Sequence, residues 1–138
     1  MELSKVYLKY SIGFLIASLV QAGVVILTEF MNISSLGVNI TFSQLLIHVI
    51  AGQIAGYILL LAMRKIEFIR NSGIFPVGIT WGILVWAIII PINTALGKIN
   101  APWLNAPSFL FSVIAFILFG IISSNTIKMV DFKEQILR

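Results

Sequence analysis

The chain has no cysteine, a single histidine and only five acidic residues in 138. The missing cysteines exclude disulfides and thiolate metal sites. One histidine and few acids leave no H-E-x-x-H motif and no acidic metal cluster. No nucleophile–base pair is spaced along one helix. Enzyme templates therefore fail, and neither a cofactor nor a metal is expected. Charge is scarce altogether. Charged residues make up 10% of the chain against 59% apolar residues. Soluble domains carry about 25% charged residues. A mean hydropathy of +1.07 exceeds what one small core can hide, so lipid is the expected solvent.

What is present is a set of long apolar runs. A bilayer core of about 30 Å needs about 20 apolar residues in a helix. Four stretches qualify, at residues 10–27, 45–63, 74–92 and 109–127, and none contains Lys, Arg, Asp or Glu. The expected fold is all-α: a single domain of four transmembrane helices in an antiparallel bundle. The first run is longer than a signal-peptide core and lacks a convincing A-x-A site, so it reads as a retained helix.

The few bases are unevenly placed. Lys5 and Lys9 precede the first run. Arg64, Lys65 and Arg70 lie in the second connection, and Lys128, Lys133 and Arg138 follow the last run. Lys98 alone lies in the third connection, and the first has none. The positive-inside rule places both termini and the second connection in the cytoplasm. The net charge of +4 then reads as orientation and contact with anionic headgroups, not as a nucleic-acid surface.

Fixing helix direction fixes depth. At about 1.5 Å per residue, Gln21 lies about 16 Å and Trp86 about 18 Å from the inner boundary, and Gln53 about 12 Å from the outer one. Near the midplane, their amides and indole can satisfy one another and hold helices in register, or line a substrate path. Glu29, His48 and Asn93 form a second layer near the outer boundary. A His48–Glu29 pair is the proton-carrying or acid-sensing reading of this layer. The plainer reading is a histidine bonded to a neighbouring helix and a solvated acid.

Gly52 and Gly56 follow His48 at four-residue spacing, and Gly78 and Gly82 repeat it in the third run. Small residues at this spacing let backbones approach closely. They mark the faces where the second and third helices pack, against each other or another subunit. Pro76 suits a first helical turn, whereas Pro91 should kink or end its helix. The third connection repeats Asn-Ala-Pro around Trp103. It reads as a stiff loop on the outer surface, with Ala101 and Ala106 held extended. Asn32-Ile33-Ser34 and Asn39-Ile40-Thr41 match the glycosylation sequon, which matters only in a eukaryotic secretory route. The tail from Lys128 reads as a solvated extension of the last helix or a short amphipathic helix on the inner leaflet.

The pattern Gly78-x-x-Trp81-Gly82-x-x-x-Trp86, then Pro91, Asn93 and a Pro-containing loop, resembles the YqhR-like small membrane proteins of Bacillus-type bacteria. The Ile12-Gly13-Phe14 opening and the four-span layout resemble them too. The resemblance implies a bacterial cytoplasmic membrane and supplies no catalytic residues. The expected function is that of an accessory or scaffold subunit. Its partners would be the lipid bilayer, other membrane proteins or further copies of the chain. The alternative is a small transporter or channel subunit that forms a path by oligomerising, lined by Gln21, Gln53, His48 and Asn93. A holin-like lesion former fits only the size and the basic tail.

Overall fold

The computed structural model describes residues 2–38 and 41–136, apart from the side chain of Ile136. Asn39, which heads one sequon, and Arg138, one of the tail bases, lie outside the described residues. Five α-helices follow in order: α1 (Leu3–Phe30), α2 (Phe42–Lys65), α3 (Glu67–Asn71), α4 (Ile74–Ala95) and α5 (Ala106–Ile136). No strand occurs among the described residues. Four helices are long and apolar enough to cross a membrane, and the short α3 links the second of these to the third.

Local chemistry sets the helix ends. The Thr41 hydroxyl accepts from the Gln44 N–H at 3.2 Å and caps α2. Arg64 and Lys65 in its last turn face the negative end of the helix dipole. Helix α4 does not stop at Pro91. It runs on to Ala95, because Pro91 removes one N–H and the flanking turns still close. Its end comes at Gly97, whose φ of +69° reverses the chain and lets its N–H reach the Thr94 carbonyl. The second Asn-Ala-Pro also departs from expectation. Ala101 is extended, but Ala106 and Pro107 open α5, where a proline's missing N–H costs nothing. Between them Pro102–Leu104 makes one 3₁₀ turn.

Helix α5 is the central column. It packs along α4 and α1 and touches α2, and α1 also packs on α2. Helices α2 and α4 form no packed pair among the described residues. The glycines explain the pairing. A Cβ on Gly78 would lie 2.5 Å from the Ile121 Cα, and one on Gly82 would lie 2.6 Å from the Ile117 Cα. Gly120 faces back onto the Gly78 and Gly82 backbone, so α4 and α5 touch main chain to main chain. On α2, Gly52 abuts Ser18 and Gly56 abuts the Phe14 ring, both on α1. The two glycine faces therefore do not meet each other. Each seats its helix on a different neighbour inside the same chain.

Two ends are distinguished by what they gather. At the terminal end, Lys9 pairs with Glu134 at 3.6 Å, Tyr10 donates to Asp131, and Lys128 donates to the Ser72 carbonyl. At the loop end the two longer connections bond to each other. The Asn100 N–H donates to the Leu36 carbonyl at 2.7 Å and its side chain to the Ser35 carbonyl at 3.0 Å. The tail is thus a continuation of α5, but not merely a solvated one. Asp131 and Glu134 engage α1, and Val130 is buried.

Candidate functional site

The unpacked α2–α4 side opens a cavity of about 640 Å³ at the loop half of the bundle. All four long helices contribute to its wall, as do residues 36–38 and 97–99 of the two loops. Glu29 helps to frame the mouth by accepting from the Val38 N–H at 3.2 Å. The Ser35 N–H donates to the Ser108 hydroxyl at 2.8 Å and ties the first loop to α5. Most of the wall is aliphatic, and its polar members sit at different depths.

Near the mouth, Asn93 donates to the Ile89 carbonyl one turn back at 2.8 Å. Its Oδ1 keeps free acceptor capacity. One helical turn and more below, His48 Nε2 lies 2.9 Å from the Ser18 carbonyl of α1. A carbonyl only accepts, so Nε2 carries the proton and Nδ1 of the neutral ring is an acceptor. At similar depth the Ser112 hydroxyl accepts from Trp86 Nε1 at 2.9 Å and donates to the Phe109 carbonyl at 2.9 Å. Gln21 lies deepest, about 14 Å along α1 from its end at Phe30. It is 5% exposed and lines the cavity, and its carboxamide has no hydrogen-bond partner among the described residues.

This arrangement divides the expected polar layers differently. Gln21, Gln53 and Trp86 do not satisfy one another. Gln53 faces the other way and donates to the Ser11 carbonyl at 2.9 Å, locking α2 to α1. Trp86 bonds to Ser112 on α5. Glu29 and His48 are not paired either, since each bonds backbone. The cavity instead collects Gln21, His48 and Asn93 and adds Ser112 and Lys98. Ser112 lies in a run of apolar residues with nothing in its spacing to mark it. Lys98 is marked in the sequence only as the one base of the two longer connections.

A second polar cluster escaped sequence reading. Arg64 donates to the Tyr10 hydroxyl at 3.2 Å, its guanidinium lies 5.7 Å from the Tyr10 ring centre and 6.0 Å from that of Tyr7, and Tyr10 donates to Asp131. Beside it Tyr57 shares a hydroxyl bond with Ser11. The only available signal was Tyr7 and Tyr10 at three-residue spacing, which puts both on one helix face. No three His, Cys, Asp or Glu side chains come together to hold a metal among the described residues. No family model, curated protein or solved structure matches this chain.

Proposed function

We propose that this chain is a non-enzymatic accessory or scaffold protein of the cytoplasmic membrane. Its four long helices form an antiparallel bundle with both termini inside. One observation carries the reading: large apolar side chains stay exposed along the middle of the long helices. Ile16, Ile54 and Ile83 are 49%, 57% and 45% exposed. Lipid would cover them, and water would not tolerate so continuous a belt. The bases cluster at the terminal end, in agreement with the positive-inside rule. The resemblance to YqhR-like proteins agrees with a bacterial inner membrane. The capping of Gln53, Trp86 and His48 by neighbouring helices supports a packing role for them.

The cysteine-free chain suits a topology test. Asn71→Cys and Leu104→Cys are labelled with a membrane-impermeant maleimide on intact cells. Leu104→Cys should react at once and Asn71→Cys only after permeabilisation. The reverse pattern overturns the orientation. Extraction in mild detergent followed by affinity capture should then recover a membrane partner or a second copy of the chain.

The transport reading draws on the cavity that holds Gln21, His48 and Asn93. Against it, Gln53 is turned away, and Phe14, Leu59 and Phe119 fill the core deeper in the bundle. A liposome flux assay decides between them. Background flux in wild type, His48→Ala and Asn93→Ala alike would sink transport.

A further inference from the structure

The cavity has chemistry that packing does not use. Gln21 is more than nine-tenths buried, lines the space and bonds to nothing among the described residues. The amide is not sealed off: the little surface Gln21 keeps faces this space, where a carboxamide left against hydrocarbon without a partner is costly. A volume of about 640 Å³ falls within the roughly 300–1,000 Å³ of small-molecule pockets.

The wall dictates the kind of occupant. Below Lys98 at the mouth no lining residue is an acid, Arg or Lys, so the inserted part of a ligand carries no full charge. Ile26, Ile47, Ile89, Ile90 and Phe116 make the wall mainly hydrocarbon. The free Gln21 carboxamide calls for a hydrogen-bonding atom on that part of the ligand, and in a neutral lipid that atom is a carbonyl oxygen accepting from its NH₂ or a hydroxyl donating to its carbonyl. The unpacked α2–α4 side is flanked by Ile50 and Ile88, 51% and 58% exposed, so entry is from the lipid belt. We infer that this cavity binds a neutral, membrane-dissolved lipid whose apolar body carries a carbonyl or hydroxyl oxygen, hydrogen-bonded to Gln21. The inference rests on the membrane reading above. That reading predicts folded protein in micelles whether or not a lipid binds, so the two fail separately.

Two probes share the chemistry and differ in source: a short-tailed menaquinone, with ring carbonyls, and dioctanoylglycerol, with ester carbonyls and a hydroxyl. Each is titrated into the purified full chain in detergent, and bound lipid is counted by native mass spectrometry alongside the thermal midpoint. Wild type should bind at least one probe saturably, at one per chain, with a raised midpoint. Which probe binds assigns the source. Gln21→Leu should weaken binding about tenfold while leaving the lipid-free midpoint unchanged or higher. Ala51→Phe, which projects a ring into the cavity, should abolish binding with helical content unchanged. Failure of both probes to bind wild type saturably overturns the inference. So does binding that survives both substitutions. A lower lipid-free midpoint in Gln21→Leu with undiminished affinity overturns the role of Gln21. Should Ala51→Phe fail to fold, the Gln21→Leu affinity alone decides.

Discussion

The Tyr10 hydroxyl donates to Asp131 across 121 residues of sequence and ties the first helix to the last. Tyr10 is fully buried and also accepts from Arg64 at 3.2 Å, so three helices meet at one oxygen. Tyr10→Phe keeps the ring stacked on Phe14 and removes only that oxygen. Asp131 then loses its donor and Arg64 an acceptor. The expected loss of stability is about 1–3 kcal/mol, the range for a hydrogen bond to a charged group. Thermal unfolding in detergent measures it. An unchanged midpoint would show that the clamp does not hold in solution.

The glycines of the α4–α5 contact permit a sharper comparison. A Cβ on Gly120 would lie 2.7 Å from the Gly82 backbone nitrogen, where only main-chain movement gives room. At Gly23 it would meet nothing within 4 Å. Gly120→Ala should lower the thermal midpoint strongly, by several degrees or more. Gly23→Ala should be neutral or stabilising, by up to about 1 kcal/mol from helix propensity. Equal effects at the two positions would mean that α4 and α5 are not in main-chain contact.

Gln53 tests whether an amide in an apolar span acts by packing alone. Its bond to the Ser11 carbonyl joins α2 to α1. Interhelical hydrogen bonds in membranes average about 0.6 kcal/mol. Gln53→Leu should cost about that much, because the Ser11 carbonyl keeps its place in the α1 ladder. A loss of several kcal/mol would mean that Gln53 anchors more than this one bond.

These residues also show how far the sequence was legible. Apolar runs set the number of long helices, because hydrophobic length is a local property of about 20 residues, whereas the five-residue α3 leaves no such run. Their ends were less legible: α1 and α5 extend well past the apolar runs into polar sequence. Small residues every four positions located close faces, but a glycine does not name its partner. Gly52 could not reveal that it meets Ser18, nor Gly78 that it meets Ile121, since that depends on which helices pair. For the same reason depth was estimable and azimuth was not. Gln21 and Gln53 lie at similar depth, yet one faces a cavity and the other a carbonyl. The Tyr10–Asp131 link was hidden because its two halves lie at opposite ends of the sequence.

Ser18 and Gly52 give the most specific test of the α1–α2 interface. The Ser18 hydroxyl is fully buried and has no hydrogen-bond partner among the described residues. A Cβ on Gly52 would collide with that hydroxyl, and would also lie 3.1 Å from the Ser18 Cβ and 3.4 Å from the Phe119 ring. Ser18→Ala removes an unsatisfied polar atom and should be neutral or mildly stabilising. The His48 bond survives it, because that bond uses the Ser18 main-chain carbonyl. Gly52→Ala alone should destabilise, and adding Ser18→Ala should recover part of the loss. Recovery is partial because the 3.1 Å approach of the two Cβ atoms remains after the oxygen is gone. The coupling from the four midpoints of a double-mutant cycle should lie between about 0.5 and 3 kcal/mol, as for residues in contact. Strict additivity would separate the two residues and mean that α2 is not seated on α1 through this contact.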